Sequence, residues 1–440
     1  MTVSETLSEV KNYIDGKFER NGQDSMDVLS PIDGLKISSI PLSTKQDVDN
    51  AVQAASKAFP KWSGMTLKER VQIFFRYRNL LEKNMDELTK LVQLENGKTY
   101  GEAKAEVEKS MELCEFAVSM PQIVVNEVQE VSKGVECRIE RKPLGVVASI
   151  TPFNFPNMVP NWTLPNALVL GNTMVMKPSE LVPLSTVRMA ELLEEAGLPN
   201  GVFNIVNGGK DVVEAICDHP KIEAVSFVGS TKVAKIVYKR ATSNLKRCVA
   251  LGGAKNHLLV FPDANPEMTA SNVVASMSGC AGQRCMAASV MVGVDKIQHI
   301  IDLMVEDAKA IVPGDNLGSV ITAEAKERIE DYISKAEKNG AKILLDGRNT
   351  TVPGKEGGYY VGPTIIDYVT VDMSVAREEI FVPVISIIRA KDLDEAIEIE
   401  NGTNYGNAAS VFTQSGGLAK RVMDRASAGM IGVNIGVPVP

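Results

Sequence analysis

The 440-residue chain lacks the sequence features of several protein classes. Its net charge of −8 provides no broad basic surface for nucleic acid or an anionic membrane, although backbone N–H groups can still build a local phosphate site. Residues 1–19 have neither a basic nor an apolar segment, so we expect no signal peptide. No apolar run approaches the roughly 18 residues of a membrane span. The most apolar stretch, residues 158–176, is interrupted by asparagine and proline.

Metal-binding and disulfide patterns are also missing. The three histidines, His219, His257 and His299, form no H-E-x-x-H motif. No C-x-x-C pair and no zinc-like spacing occurs among the six cysteines, which are residues 114, 137, 217, 248, 280 and 285. We therefore expect free thiols, a reducing cytoplasmic location and no metal site.

From residue 144 onward, short apolar runs alternate with helical patterns. The runs that predict strands are 144–150, 173–177, 202–206, 224–228 and 258–261. The helical patterns between them are 157–170, 184–196, 210–217 and 231–241. This alternation predicts an α/β fold with a parallel sheet, helices on both faces and a ligand site at the carboxyl ends of the strands. The Gly-x-Gly-x-x-Gly motif of dinucleotide-binding folds is absent.

Other patterns flank this region. Before it, helices are expected at 44–59, 66–95 and 102–118, short strands within 1–42, and a strand at 135–140. A second α/β region runs from about 252 to the end, with helices around 266–281 and 323–339.

One cysteine lies within a run of small residues at 276–288, in the sequence Gly-Gln-Arg-Cys at 282–285. A thiol reacts as its thiolate, which a neighbouring positive charge favours, and Arg284 supplies that charge. The small neighbours leave room for a substrate. This stretch makes Cys285 a candidate nucleophile, although an inert buried cysteine is the commoner case.

Several motifs, in order, resemble the aldehyde dehydrogenase superfamily over essentially the whole chain. They are Thr-Pro-Phe-Asn-Phe-Pro at 151–156, Lys-Pro-Ser-Glu at 177–180, Phe-Val-Gly-Ser at 227–230, Gly-Gln-Arg-Cys at 282–285 and Glu-Ile-Phe-Val-Pro-Val at 379–384. Within the superfamily, Gly-Ala-Lys-Asn-His at 253–257 and Asn-Ile-Gly-Val-Pro at 434–438 resemble the CoA-acylating, methylmalonate-semialdehyde dehydrogenase branch. The resemblance implies a Rossmann-like NAD domain, an α/β catalytic domain and a β oligomerisation arm.

The same resemblance implies domain limits. The NAD-binding domain would comprise residues 1–120 and 142–250, and the catalytic domain residues 251–430. The arm would comprise 121–141 with a segment after 430, and we expect it to be shortened because relatives continue for several dozen residues beyond this chain's last residue. A homo-oligomer, either a dimer or a tetramer, is implied.

The resemblance also implies a covalent mechanism. Cys285 would attack the aldehyde, and the oxyanion would be held by the side-chain amide of Asn154 and the N–H of Cys285. Without the family, Asn154 would be interpreted as a turn residue between prolines. Arg284 and Lys109 would bind a substrate carboxylate. Relatives have arginine at the position of Lys109, and lysine lacks the bidentate geometry of arginine.

A set of NAD-binding residues is implied by the resemblance, namely Phe153, Lys177, Glu180, Gly229, Ser230, Glu379 and Phe381. Lys177 and Glu180 would bind the adenosine ribose, where a carboxylate favours NAD over NADP. Gly229 and Ser230 would open a helix whose free N–H groups suit a pyrophosphate. Glu379 would bind the nicotinamide ribose.

One departure from the family concerns the acyl acceptor. Most aldehyde dehydrogenases have Glu-Leu-Gly-Gly, and its glutamate activates water, but this chain has Val-Ala-Leu-Gly-Gly at 249–253. Ala250 or Leu251 therefore replaces the base. A CoA thiol ionises more readily than water and can react without that base. We therefore expect NAD-dependent oxidation of a malonate- or methylmalonate-type semialdehyde with transfer to CoA, giving acetyl-CoA or propionyl-CoA. Two alternatives are a hydrolytic aldehyde dehydrogenase that releases a free acid and a non-catalytic binding protein with the same fold.

Overall fold

Two seven-stranded sheets organise the chain, one in each of the two units into which the computed structural model divides. The structure describes residues 7–20 and 24–438. The first unit comprises Met1–Ser30, Lys36–Asn96 and Ala103–Gly252, and the second comprises Pro31–Leu35, Gly97–Glu102 and Gly253–Pro440.

The strands of the first unit are β1 (Asn12–Ile14), β2 (Lys17–Glu19), β3 (Ser25–Leu29), β4 (Lys36–Pro41), β5 (Glu127–Ser132), β6 (Val135–Ile139), β7 (Val146–Ile150), β8 (Thr173–Lys177), β9 (Phe203–Ile205), β10 (Ile222–Val228) and β11 (Arg247–Leu251). The helices that lie mainly in this unit are α1 (Lys45–Ser63), α2 (Leu67–Lys83), α3 (Met85–Asn96), α4 (Tyr100–Val118), α5 (Met120–Ile123), α6 (Met158–Val169), α7 (Leu184–Glu195), α8 (Lys210–Asp218) and α9 (Thr231–Ser243).

The sheet of the first unit has the strand order β11-β10-β7-β8-β9-β1-β2. Strands β7 to β11 run parallel, whereas β1 pairs antiparallel with β9 and forms a hairpin with β2. Alternate residues of a strand face opposite sides of a sheet. Met174 and Met176 of β8 accordingly pack in a cluster with α2, α6 and α7, and Val175 packs with α1, α8 and α9. Helices cover both faces as expected, but the N-terminal hairpin makes the sheet mixed.

Local sequence explains most boundaries in this unit. A reciprocal capping box begins α2, in which Glu69 accepts hydrogen bonds from the backbone N–H and hydroxyl of Thr66. The continuous helix expected over 66–95 is instead two helices separated at Asn84, whose side chain donates to the carbonyl oxygen of Leu80 at 2.8 Å. Asparagine favours such local backbone bonds and ends helices for that reason.

Two strands of this unit were not anticipated. The sequence predicted the strand at 135–140 as half-exposed, but β6 and its unpredicted partner β5 form a hairpin whose side chains are exposed throughout. The second unpredicted strand, β11, is an edge strand that pairs only with β10 among the described residues. Hydrophobic periodicity is weak in both places because neither strand is covered on a whole face.

The strands of the second unit are β12 (Asn256–Val260), β13 (Ala288–Val294), β14 (Lys342–Leu345), β15 (Thr364–Asp367), β16 (Val384–Ala390), β17 (Ala408–Phe412) and β18 (Met430–Val433). Its helices are α10 (Pro266–Ser278), α11 (Gln298–Lys309), α12 (Ala323–Lys338), α13 (Ser374–Arg377), α14 (Leu393–Asn401) and α15 (Gly416–Arg425). The sheet order is β14-β15-β16-β13-β12-β17-β18, and β14 alone among these described strands runs antiparallel. Helices α10 and α11 cover one face, and α12, α14 and α15 cover the other.

The helix expected over 266–281 is shorter than predicted. It ends at Ser278, and a 3-10 turn at Gly279–Gly282 follows, in which Cys280 and Ala281 have φ angles of 53° and 51°. Gly279 interrupts the helix, since glycine carries the lowest helix propensity after proline. The left-handed turn directs the chain from α10 into the segment that contains Cys285.

Two further findings apply to residues 7–20 and 24–438. No helix there is long and apolar enough to cross a membrane. No group of three or more His, Cys, Asp and Glu side chains in the same ranges is arranged to hold a metal ion.

Gly282 should tolerate no side chain, which is a testable consequence of this turn. Its φ is +67°, and a Cβ atom would lie 2.1 Å from the carbonyl carbon and oxygen of Val382. Gly340 is a matched control, because its φ is +96° but a Cβ atom there would meet nothing within 4 Å. A left-handed non-glycine residue costs roughly 1–2 kcal/mol, which both alanine variants share. Overpacking adds about 1–3 kcal/mol, so urea unfolding should show a larger loss of stability for Gly282→Ala than for Gly340→Ala. Equal losses would contradict the predicted collision.

Candidate active site

Cys285 lies in the segment that joins the Gly279–Gly282 turn to β13. The buried side chain of Gln283 fixes this segment to residues 319–321, donating to the carbonyl of Ser319 at 3.2 Å and accepting the N–H of Ile321 at 3.0 Å. At the preceding turn, the N–H of Cys280 donates to the Glu102 carboxylate at 2.6 Å. The segment that leads into the candidate nucleophile is thus held at two points by side chains that sequence reasoning did not select.

Two asparagines hold the backbone of Cys285 itself. The Nδ2 atom of Asn256 donates to the carbonyl oxygens of Cys285 and Ala287, both at 2.8 Å. The Nδ2 atom of Asn407 donates to the same Cys285 oxygen at 3.1 Å. Asn256 begins β12 and Asn407 immediately precedes the neighbouring β17, so the amino ends of two parallel strands meet the entrance to β13. The Gly-Ala-Lys-Asn-His motif contained Asn256, but its sequence did not indicate this contact.

The thiol of Cys285 is partly buried, and burial raises its pKa above the usual value for cysteine. The backbone N–H of Cys285 acts in the opposite direction, Glu379 adds to the rise, and Arg284 and the N–H of Met286 lower the pKa. The expectation that Arg284 favours the thiolate is correct in sign, but burial outweighs the arginine. The free thiol is therefore mostly protonated at neutral pH.

Arg284 turns towards the end of α10. Its Nη2 atom donates to the carbonyl oxygens of Ala275 and Ser276, at 3.2 and 3.0 Å. A cation is stabilised at a helix C-terminus, where carbonyl oxygens lack intrahelical partners. The Nε atom is buried and has no hydrogen-bond partner among the described residues, so it keeps one donor for another group.

Glu379 lies against the backbone at the start of the Gly-Ala-Lys-Asn-His motif. Its Oε1 atom accepts the N–H of Ala254 at 2.9 Å, and burial raises the pKa of its carboxyl. Burial also lowers the pKa of Lys255 to about 7, although Glu379 opposes that change. Phe381 follows with a φ of +67°, a left-handed conformation that is uncommon for an aromatic residue.

In the first unit, Asn154 is buried in the loop between β7 and α6, at the carboxyl end of a parallel strand. Asn96 donates to the carbonyl oxygen of Phe153 at 2.8 Å. The Glu106 carboxylate accepts the N–H groups of Asn157 and Met158, at 2.7 and 3.1 Å. Asn96 and Glu106 therefore fix the loop on both sides of Asn154, and sequence reasoning missed both.

Lys177 and Glu180 form a pair at the carboxyl end of β8. The Lys177 Nζ atom donates to Glu180 Oε2 at 2.5 Å, with the lysine side chain buried and the glutamate partly exposed. One residue is a donor and the other an acceptor, which is the combination that a ribose diol needs.

Gly229 and Ser230 connect β10 to α9. A Cβ atom on Gly229 would lie 2.6 Å from the ring of Phe227, so a larger residue here would displace that ring. Ser230 is the N-cap of α9, and its hydroxyl accepts the N–H of Val233. The N-terminal N–H groups of such a helix suit a phosphate group. Ala250 of β11 pairs with Phe227 of the adjacent strand β10, and neither Ala250 nor the following Leu251 offers a carboxylate.

The surroundings of Lys109 differ from those expected of a cation that binds the substrate. It lies on α4, and its Nζ atom pairs with Glu112 at 2.8 Å on the partly exposed side of the helix. An exposed i, i+3 pair of this kind contributes little stability, and its partner partly neutralises the lysine charge.

Comparison with known proteins decides the family. A model of the aldehyde dehydrogenase family matches residues 18–439. Malonate-semialdehyde dehydrogenase 2 of Oceanobacillus iheyensis is 46% identical over 444 residues, which is 99% of this chain and 91% of the relative. The chain belongs to the aldehyde dehydrogenase family. Malonate-semialdehyde dehydrogenase 1 of Geobacillus thermodenitrificans is 44% identical over 99% of this chain and 91% of the relative.

Solved structures agree with this assignment. The methylmalonate-semialdehyde dehydrogenase of Oceanimonas doudoroffii has a TM-score of 0.97 and 39% identity, over 99% of this chain and 91% of that one. A structure from Sinorhizobium meliloti 1021, complexed with NAD, has a TM-score of 0.97 and 38% identity over the same shares. The predicted family, the aldehyde dehydrogenase fold and the oxidoreductase class are confirmed. The donors at Lys177 and at the start of α9, with the acceptor at Glu180, fit the ribose and pyrophosphate of a dinucleotide.

The ionisation of Cys285 in this aldehyde dehydrogenase is directly measurable. Because burial raises the thiol pKa, the rate of its alkylation by iodoacetamide should rise about tenfold per pH unit from pH 7 to about 9 without a plateau. Peptide mass spectrometry would follow Cys285, with the exposed Cys137 as an internal reference for the reagent. A plateau for Cys285 below pH 8 would mean that the surrounding donors outweigh burial.

Proposed function

We propose that the protein oxidises a malonate- or methylmalonate-type semialdehyde with NAD and transfers the acyl group to CoA. The names of its relatives support the substrate class, since the two relatives are named malonate-semialdehyde dehydrogenases and one solved structure is a methylmalonate-semialdehyde dehydrogenase. The observation that carries the choice of acceptor is the absence of a carboxylate at Ala250 and Leu251, where most family members position a base for water.

In the proposed mechanism, the Cys285 thiolate attacks the aldehyde carbon and forms a hemithioacetal. The Asn154 amide and the Cys285 N–H donate to the oxygen that becomes negative, which is a large catalytic contribution when the donors are fixed in advance. The proposed cofactor residues, Glu379 among them, would hold NAD, which would supply the acceptor for the hydride that leaves the former aldehyde carbon. The product on the protein is a thioester of Cys285.

Release of the acyl group then requires a nucleophile. The CoA thiolate attacks the thioester carbon, the bond to the Cys285 sulfur breaks, and acyl-CoA leaves with the cysteine restored. A thiol has a pKa far below that of water, so it needs no strong base in the site. A thioester of the malonate type would also lose its carboxylate as carbon dioxide while still bound to Cys285, and a proton would take its place on the carbon. Transfer to CoA then gives acetyl-CoA or, from the methyl homologue, propionyl-CoA.

Arg284 is the proposed contact for the substrate carboxylate. Its buried Nε atom has no partner among the described residues, and a charged hydrogen bond to a carboxylate would satisfy it. Lys109 is proposed as a second, weaker cation, because its pairing with Glu112 would have to loosen first.

The proposed NAD-binding residues would contact different parts of the cofactor. Lys177 and Glu180 would hold the adenosine ribose, and the charge of Glu180 would disfavour the 2′-phosphate of NADP. Gly229 and Ser230 would hold the pyrophosphate, and Glu379 the nicotinamide ribose, while Phe153 and Phe381 complete the proposed set. Support comes from the buried ammonium of Lys177 beside Glu180 and from the capped start of α9.

Domain roles, assembly and location follow as further parts of the proposal. Residues 1–120 and 142–250 would form the NAD-binding domain and 251–430 the catalytic domain. Residues 121–141 would form an arm of a homo-oligomer, either a dimer or a tetramer. The β5–β6 hairpin supports the arm, because Val128, Val131, Val135 and Ile139 are 52–61% exposed there and form an apolar surface. The free state of all six cysteines supports a cytoplasmic location.

Rapid mixing tests the choice of acceptor. Enzyme, NAD and malonate semialdehyde without CoA should give a burst of about one NADH per active site and then slow turnover, because the thioester forms but reacts slowly with water. CoA should accelerate the slow phase and yield acyl-CoA in equal amount with NADH. Cys285→Ala should abolish both phases, whereas Cys280→Ala should keep them. Equal steady-state rates with and without CoA, with a free acid as product, would assign the protein to the hydrolytic class.

A further inference from the structure

The carbonyl oxygen of Cys285 accepts hydrogen bonds from two side-chain amides. Asn256 Nδ2 and Asn407 Nδ2 approach it at 2.8 and 3.1 Å, and Asn256 also reaches the carbonyl of Ala287. A backbone oxygen has two lone pairs, so these two amides fill its acceptor capacity. The two side chains come from the starts of neighbouring strands, β12 and β17, and meet on one peptide group.

The orientation of the Asn256 amide follows from its surroundings. Two carbonyl oxygens face one end of the side chain, and only the NH₂ group can donate to both. The opposite atom, Oδ1, is buried and has no partner among the described residues. A buried oxygen without a hydrogen-bond partner lowers the stability of the fold. The favourable contribution of Asn256 therefore comes from the hydrogen bonds that its NH₂ group donates to this segment.

The peptide that these amides hold directly follows the residue that carries the sulfur. The carbonyl of Cys285 and the N–H of Met286 belong to one planar, trans peptide group and point in opposite directions. That N–H is one of the groups that lower the pKa of the Cys285 thiol. Donors on the carbonyl fix the plane of the peptide and polarise it, which strengthens the N–H at its other side.

We propose that Asn256 and Asn407 are positioning residues that hold the Cys285–Met286 peptide with its N–H directed at the Cys285 sulfur and so stabilise the thiolate. Neither asparagine touches the substrate in this scheme, since both act through the peptide. The inference rests on the proposed role of Cys285 as nucleophile. If the two asparagines only stabilised the starts of β12 and β17, their loss would leave the ionisation of the thiol unchanged. A titration of the thiol therefore distinguishes the positioning role from a purely structural one.

The substitutions Asn256→Leu and Asn407→Leu separate these readouts. Leucine has the same branched heavy-atom skeleton as asparagine, although its methyl groups are bulkier, and it has no donor; at position 256 it also removes the unpartnered buried oxygen. Asn204→Leu is the matched control in the first unit, because Asn204 Nδ2 likewise donates to two backbone carbonyls, of Gly201 at 2.8 Å and of Met174 at 3.3 Å. All substitutions are made in the full chain.

The measurement is a pH titration of the Cys285 thiolate by ultraviolet absorbance, with the spectrum of Cys285→Ala subtracted. Each Leu variant should raise the titration midpoint by about one pH unit, which is a tenfold smaller thiolate fraction at neutral pH. The NADH burst should slow by a similar factor while the KM for NAD stays unchanged. The Asn204→Leu control should titrate like the wild type.

An unchanged midpoint in folded Leu variants would overturn the proposal. If thermal unfolding shows that the Leu variants do not fold, Asn407→Ala decides, because Asn407 is only half-buried and truncation there disturbs packing less. The titration needs no catalysis. Turnover by Cys285→Ala would therefore refute the proposed function, while the midpoints would still report separately on the two asparagines.

Discussion

Burial of one thiol is the constraint on which the candidate site depends. A nucleophilic cysteine must ionise, yet the partly buried position of Cys285 favours the neutral form. The groups that act against burial are mostly backbone N–H groups, and backbone groups are directed only by the segment that carries them. The surrounding structure therefore serves to fix the path of the chain from residue 279 to residue 288.

Several independent contacts fix that path. Gln283 ties it to residues 319–321, Gly282 passes in close contact with the carbonyl of Val382, and Asn256 and Asn407 hold the peptide after the cysteine. In the first unit the loop of Asn154 is held in the same way, since Asn96 and Glu106 bind the backbone on each side of Asn154. In both units, buried amides and carboxylates supply rigidity where a loop has no strand or helix bonds of its own.

Sequence alone predicted the elements with strong periodicity. The strand at 173–177 and the helix starting at 184 were located correctly because continuous apolar runs and a Gly-Leu-Pro stop are clear local signals. The edge strand Arg247–Leu251 and the hairpin strand Glu127–Ser132 were missed, since exposed strands bury no face that periodicity could reveal. The family motifs identified Cys285, Asn154 and the Lys177–Glu180 pair as candidates. The residues that hold them are distant in sequence, as with Asn407 and Cys285, and only the folded chain brings such partners together.

Mapping the acyl group tests the proposed chemistry most directly. The protein would be mixed with NAD and malonate semialdehyde without CoA, quenched in acid, digested and examined by peptide mass spectrometry. We expect an acetyl thioester on the peptide that contains Cys285 and its loss after CoA is added, with an equal amount of acetyl-CoA formed. An acyl group on another cysteine, or free acid released equally fast without CoA and with no labelled peptide, would contradict the proposed nucleophile and acceptor.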